Sequence, residues 1–327
     1  MESRAVSGSS QCAVFGSVMG KLAIIANPLS HRNRLWPLAA QALRKAAPGA
    51  PILEAQKLDD LRAVALRALE EKPEVLAIAG GDGTVTHVLT ALFHAAKSLG
   101  LELPAISMLG GGAYDSLASL GGRGAAEDKL KRLSERLRTD TPLVIEARDA
   151  LLVDGQCGFR VGVGLPVRFV EEVYATGNTG VWSGAKTLVR AVASSLVRGA
   201  FAQELYRPLE TEVDVDGELW PPMPLYGVVC SSVAEAGLGL RPFRRATEQP
   251  GFFQVLGLTA GPLAFSLELP RLLLGHQARR DRLIDAVAER VVLSGRRGLP
   301  YFLDGELRKA GDKLVIGLGP RLRLVRA

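Results

Sequence analysis

The stretch that most constrains the fold is Val75-Leu76-Ala77-Ile78-Ala79, followed at once by Gly80-Gly81-Asp82-Gly83-Thr84-Val85-Thr86. Five apolar residues in a row predict a strand buried on both faces. Three glycines around one aspartate stop it. From Thr84 the period changes: Val85, Val88, Leu89, Leu92, Phe93 and Ala96 keep the i, i+3, i+4, i+7 spacing of an amphipathic helix. Strand, glycine turn and helix in that order bring free backbone N–H groups and the positive end of a helix dipole to one spot, which suits a phosphate. Asp82 repels phosphate directly, so its expected job is to hold Mg²⁺, or a water on Mg²⁺, beside a nucleotide. A tight βα turn carrying an incidental aspartate accounts for the same residues, and the turn alone does not separate the two readings.

The same alternation recurs on either side. Leu22–Ala26 predicts a strand ended by Asn27-Pro28; a polar turn, Ser30-His31-Arg32-Asn33, leads to a helix with Leu35, Leu38, Ala42 and Leu43 inward. A strand over 51–54 precedes a helix with Leu58, Leu61, Ala65, Ala68 and Leu69 at core spacing, and Pro104–Met108 is a fourth strand. Such βαβ units make a parallel sheet with helices on both faces, and ligands bind outside the carboxyl ends of its strands. Gly80–Gly83 and Gly110–Gly112 both follow strands, so both fall on that edge. Residues 127–138 predict a helix with Leu130, Leu133 and Leu137 inward and a solvated Lys/Arg face.

After Thr141-Pro142 the character changes to short strands, among them 143–153, 158–163, 212–215, 225–230 and 252–258, with hairpin chemistry at Thr211–Glu218. Two helices interrupt this half: 183–200, with Leu188, Val192, Leu196 and Val197 at core spacing, and Leu263–Gly275. A length of 327 residues fits two domains, and 47% hydrophobic with 23% charged residues is ordinary for a soluble protein. The net charge of +6 suits nucleotides, anionic headgroups or nucleic acid; the lack of a basic–aromatic stripe argues against a single-strand nucleic-acid platform. Cys12, Cys157 and Cys230, odd in number and far apart, fit a reducing cytoplasm rather than a disulfide framework or zinc knuckle. No stretch reaches the roughly 18 apolar residues of a membrane span. Residues 1–18 lack an apolar signal-peptide core and are expected to form a disordered tail, with Met19 an alternative start.

Four segments resemble the diacylglycerol kinase catalytic family, which includes bacterial lipid kinases and sphingosine kinases. Gly80-Gly81-Asp82-Gly83-Thr84 resembles its GGDGT signature, to which NAD kinases and the phosphofructokinase superfamily carry related motifs. Asn27-Pro28-x-Ser30 resembles the NPxSG loop that touches nucleotide, with His31 in place of glycine. Gly110-Gly111-Gly112-Ala113-Tyr114-Asp115-Ser116-Leu117-Ala118 resembles GGTxNDxA, with Ala113 for threonine and Asp115 for asparagine. Tyr301-Phe302-Leu303-Asp304-Gly305-Glu306 resembles the DGE segment, whose acidic residue acts as general base on a lipid hydroxyl; Asp-Gly is also a common hairpin turn. Glu54, His87 and Gln249 depart from the family pattern, and Gln249-Pro250 leaves no carboxylate where relatives hold a structural Mg²⁺. The resemblance spans about residues 21–325.

It implies an α/β N-terminal domain with a parallel sheet and helices on both faces, like NAD kinases and diacylglycerol kinases, followed by a mostly antiparallel β domain with two helices. The domains are then a nucleotide-binding unit over 19–142, rejoined by 313–327, and a lipid-substrate unit over 143–312. The implied activity is an ATP-dependent lipid kinase working in an interdomain cleft with ATP and Mg²⁺. Asn27, Ser30, Gly80, Gly81, Asp82, Gly83, Thr84, Thr86, Gly110, Gly111, Gly112 and Ala113 would surround the nucleotide. Asp82, Asp304 and Glu306 would be catalytic, and Asp82 and Asp115 would meet metal. Asp115 either helps bind Mg²⁺ or marks a half-site that has lost its task, and His87 reads as a surface or outer residue. Arg241, Arg244, Arg245, Arg279, Arg280 and Arg282 either meet anionic headgroups or form a solvated basic surface. The expected partners are a lipid substrate, a membrane surface touched peripherally and a second copy in a homodimer, with no nucleic acid; the expected place is the cytoplasm, at the inner membrane face. A degenerate, non-catalytic lipid- or nucleotide-binding relative and an NAD kinase-like enzyme stay open.

Overall fold

The computed structural model describes residues 13–14, 22–30, 33, 35–112, 115–177, 181–236, 241–273, 276, 279, 282–295 and 298–327. Its first half runs β1 (Ala13–Val14), β2 (Leu22–Ala26), α1 (Trp36–Ala46), β3 (Ile52–Glu54), α2 (Leu61–Glu70), β4 (Val75–Ala79), α3 (Asp82–Leu99), β5 (Ala105–Met108) and α4 (Ala126–Arg138). Strands β3, β2, β4 and β5 pair in parallel in that order. Their uninterrupted apolar sequence follows from burial on both sides. Leu76 and Ile78 face Val64, Leu69, Leu89 and Leu92 of α2 and α3, while Val75, Ala77 and Ala79 face Leu43 of α1 and Leu130 and Leu133 of α4.

In this first half three expected core leucines are exposed: Leu35, Leu38 and Leu58. Leu35 precedes α1, and at 100° per residue Leu38 lies about 140° around the helix from the buried Leu43. Leu58 precedes α2 and reaches a cavity instead. The basic face of α4 is also not wholly solvated: Lys129 is buried, and its ammonium donates to the carbonyls of Met108 (3.0 Å) and Ala118 (3.0 Å). The expected tail lies outside the described residues except for Ala13 and Val14, which pair with Ile145 and Val144.

The second half opens with β6 (Val144–Val153), β7 (Gln156–Gly158) and β8 (Arg160–Gly164), then α5 (Leu165–Ala175), α6 (Val181–Leu196) and α7 (Ala200–Leu205). Next come β9 (Glu212–Val215), β10 (Glu218–Leu219), β11 (Gly227–Ser231), β12 (Phe253–Leu258) and α8 (Pro262–Leu273). It closes with β13 (Leu283–Ala288), β14 (Arg290–Ser294), β15 (Leu299–Leu303), β16 (Glu306–Ala310) and β17 (Lys313–Arg326). One sheet, β13-β12-β11-β8-β15-β16, is antiparallel throughout. The first sheet does not stop at residue 142. β17 pairs in parallel with β5 through Leu324 and Ile106 and antiparallel with β6 and β14, so the sheet continues through β14, β9 and β10. Val161, Val163 and Cys230 of one sheet pack on Val291, Leu293 and Ile316 of the other. Among the described residues four α-helices rather than two punctuate this half.

The polarity of α6 runs opposite to expectation. Leu196 and the following Val197 are exposed, whereas Ser183, Thr187, Ala191 and Ser195 are buried. The Ser183 hydroxyl bonds Thr176 at the end of α5, and Ser194 accepts the Ala202 N–H of α7. Small, hydroxyl-bearing residues allow this close helix packing. Among the described residues no helix is long and apolar enough to cross a membrane.

Candidate active site

Both glycine turns lie at the carboxyl edge of the parallel sheet, packed backbone on backbone. The Gly80 N–H donates to the Gly110 carbonyl at 3.1 Å. A Cβ on Gly112 would stand 2.5 Å from the Gly81 Cα, and one on Gly81 would stand 2.8 Å from the Gly112 Cα. Gly110 (φ +90°) and Gly111 (φ +140°) are left-handed, where side chains are strained. These glycines therefore serve first to let two turns touch.

The acids expected to meet metal fasten the same turns. Asp115 accepts the N–H groups of Gly111 (3.0 Å) and Gly112 (2.6 Å). Asp82 accepts the N–H groups of Ser116 (3.0 Å) and Leu117 (3.0 Å) and the Ser116 hydroxyl. Asn27 donates to the Thr84 hydroxyl (3.0 Å) and accepts the Leu29 N–H (2.9 Å), while the Ser30 hydroxyl donates to the Asn27 carbonyl (3.1 Å).

The acidic pair arrives from β15 and β16, whose two-residue turn places Asp304 (φ +48°) and Gly305 (φ +98°) in the left-handed region. Asp304 is buried among donors: the N–H of Phe159 (3.0 Å), the N–H of Arg160 (2.9 Å) and the Thr86 hydroxyl (2.9 Å). Burial pushes its carboxyl up to about 6, against the opposing pull of the Arg160 guanidinium and these hydrogen bonds. Glu306 lies over Gly83, 2.9 Å from His87 Nε2 and 2.8 Å from Arg308. Burial raises its carboxyl, but the bonds and charge of His87 and Arg308 outweigh it and hold the group below its ordinary value. Tyr174 donates to the Gly305 carbonyl at 2.6 Å; burial, then the charges of Glu306 and Asp82, raise its phenol.

Arg160 joins the two halves of the site. Its guanidinium is 3.7 Å from Asp82, 3.7 Å from Asp304 and hydrogen-bonded to the Ser116 hydroxyl at 2.5 Å. Its Nε is buried without a hydrogen-bond partner among the described residues. The acidic pair thus faces the Gly80 turn across one crevice, with a single cation between Asp82 and Asp304.

The crevice opens into a cavity of about 840 Å³. Asn27, Ser30, Gly81, Asp82, Gly83, Thr84 and Gly112 form one wall; Phe169, Val170, Leu256, Phe265, Leu269 and Leu272 form another. Of the residues expected around a nucleotide, Gly80, Gly110, Gly111 and Thr86 are buried behind this surface, and Ala113 lies outside the described residues. Thr86, one helical turn past Asp82, is buried and donates its hydroxyl to Asp304. Asp304 borders the cavity, yet its side chain exposes none of its surface, against 32% for Glu306. His87, read as an outer residue, lines the cavity.

Arg160 and Tyr174 escaped the sequence reading. The signal for Arg160 was present: an arginine within the run Cys157–Val163 must find buried partners if that strand is internal. The basic cluster is largely paired, Arg241 with Glu235 (3.8 Å), Arg245 with Asp285 (3.5 Å) and Arg279 with Glu268 (3.7 Å); Arg280 lies outside the described residues.

The donor set does not fit a Mg²⁺ held by the chain. Every carboxylate oxygen of Asp82 and Asp115 already accepts a protein hydrogen bond, and Arg160 stands beside Asp82. Among the described residues no three His, Cys, Asp or Glu side chains are grouped to bind an ion.

Residues 21–144 match the family model of the diacylglycerol kinase catalytic domain. A diacylglycerol kinase structure from Bacillus anthracis strain Sterne superposes with a TM-score of 0.65 at 14% identity, over 94% of this chain and 97% of that one. A second structure from the same strain, given that activity as a provisional assignment, reaches 0.69 at 17% identity, over 94% and 96%. Yeast NADH kinase in complex with NADH gives 0.51 at 10% identity, over 94% and 83%. The fold is that of diacylglycerol and NAD kinases. No curated protein matches the sequence.

Proposed function

We propose that this protein, whose residues 21–144 match the diacylglycerol kinase catalytic domain, transfers a phosphoryl group from ATP to the hydroxyl of a lipid. The observation that carries the reading is one cavity with two unlike walls. The Gly81–Thr84 turn at the start of α3 offers backbone N–H groups to phosphates. The facing wall of leucine, valine and phenylalanine suits an acyl or alkyl chain. Glu306 stands where the walls meet. In this reading its carboxylate orients the acceptor hydroxyl and takes its proton, and His87, 2.9 Å away, holds that carboxylate in place by donating to it. Asp304, without exposed surface, holds the turn and Arg160 rather than touching substrate. Arg160 borders the cavity, and its guanidinium is placed to meet the charge of a transferring phosphoryl group. Mg²⁺, in this reading, is bound through the nucleotide's phosphates and water rather than by a carboxylate of the chain.

The test is transfer of labelled phosphate from ATP to a panel of diacylglycerol, sphingoid base and phosphatidylglycerol. Transfer to one of them is expected, falling about 100-fold or more in Glu306→Gln. Nucleotide binding with no transfer would favour a non-catalytic binding protein, the reading to which the tied carboxylates of Asp82 and Asp115 lend weight. Competition by NAD for the acceptor site would point to a nicotinamide-nucleotide kinase.

A further inference from the structure

Helix α6 is inside out. A helix on a water-soluble surface turns its apolar stripe to the core, yet α6 buries Ser183, Thr187 and Ser195 and presents Trp182 (81% exposed), Val189 (68%) and Leu196 (61%) outward. At 100° per residue these three lie within about 40° of one line. Helix α8 packs against α6 and adds Leu267 (61% exposed) to the same surface, with Leu263 one turn before it. Both helices also line the cavity, through Leu188 of α6 and Phe265 and Leu269 of α8. A wall one helix thick therefore separates an apolar cavity from an apolar exterior.

We infer that the outer face of α6 and α8 docks on an anionic lipid bilayer, with Trp182, Val189, Leu196 and Leu267 at the boundary of headgroups and acyl chains. The composition identifies the occupant. Tryptophan and aliphatic residues on one stripe, bordered by basic side chains, are what a helix lying in a membrane interface presents. Lys186, about 40° beyond Trp182 around the helix, is exposed beside the stripe, and its long stem lets the charge stay among headgroups while the apolar side sinks; Arg190, about 80° beyond Trp182, is paired with Glu172 at 3.6 Å and lies over the Phe201 ring. The net charge of +6 adds attraction to an anionic surface. Continuity with the cavity gives the docking a purpose: a lipid passes from one apolar environment into another behind the same two helices. That purpose rests on the lipid-kinase reading; the docking itself does not.

The experiment is co-sedimentation of the full chain with vesicles of phosphatidylcholine containing phosphatidylglycerol, against phosphatidylcholine alone. The protein should pellet with the anionic vesicles, and Val189→Glu/Leu267→Glu should lower the bound-to-free ratio about tenfold or more with unchanged circular dichroism. The double variant should keep its rate on a dispersed short-chain acceptor and lose it on the same lipid in vesicles. If neither vesicle pellets the protein, or the double variant pellets equally well, the inference fails. A dimer in sedimentation that the double variant dissociates, without vesicle binding, would show that a second copy covers the face and would also overturn it. Variant-sensitive pelleting in a protein that phosphorylates no lipid would uphold the docking and refute the kinase reading alone.

Discussion

Replacing Arg160 with methionine removes the cation between Asp82 and Asp304 while keeping most of the buried stem. The outcome depends on two energies. An ion pair at 3.7 Å contributes about 4 kcal/mol at an effective dielectric constant near 20. With its carboxyl at about 6, Asp304 at pH 7 is held in its ionised form by only about 1.4 kcal/mol. The first exceeds the second, so in the variant Asp304 protonates instead of standing unpaired. The cost then follows pH. In the native protein the raised carboxyl contributes stability that is complete below its ordinary 3.8 and lost as pH rises through about 6. Above pH 6 the native protein loses nothing further from this group. The variant continues to lose, so the deficit grows by about 1.4 kcal/mol per pH unit, to about 3 kcal/mol at pH 8. Below pH 5 the Asp304 contribution vanishes and the loss of the Asp82 contact remains as a constant offset. Urea unfolding of both proteins at pH 5, 7 and 8 measures this directly. A deficit that does not change with pH would refute the assignment of Arg160 as counter-ion to a buried, ionised Asp304.

Gly112→Ala puts a Cβ 2.5 Å from the Gly81 backbone, so the two turns must separate; a loss of about 1–3 kcal/mol in urea unfolding is expected, and none would show that the turns are not packed together. Thr86→Val keeps the shape but deletes the hydroxyl donated to Asp304. It should cost about 1–2 kcal/mol in urea unfolding, which Thr86→Ser should restore; no loss in Thr86→Val would refute that contact. Lys129→Met leaves the carbonyls of Met108 and Ala118 without their buried donor. It should cost about 2 kcal/mol or more and weaken nucleotide binding measured by calorimetry, because the loop carrying Gly112 loses its anchor; unchanged affinity would refute that link.

Much of the α/β half could be read locally. The run Val75–Ala79 is apolar throughout because helices cover both faces of the sheet, and Gly81 within the turn that follows leaves no room for a side chain beside Gly112. Periodicity failed where it judged burial by hydrophobicity alone. In α6 the spacing of Leu188, Val192 and Leu196 is helical, but the face that packs is the small and hydroxylated one, since close contact with α5 and α7 leaves no room for leucine.

The chain's order alone determined the strands of the parallel sheet and the edge on which the glycine turns meet, while the facing of the Asp304 hairpin toward Asp82 was implied only by the family resemblance. Tertiary structure decided what those groups do. Asp82 is bound by Ser116, Thr86 turns to a carboxylate 218 positions away, Glu306 pairs with His87, and Arg160 sits between two acids. Each of these bonds joins residues on different elements, and a pattern with a period of two or 3.6 residues holds no information about which distant partner a polar side chain will find once water is excluded.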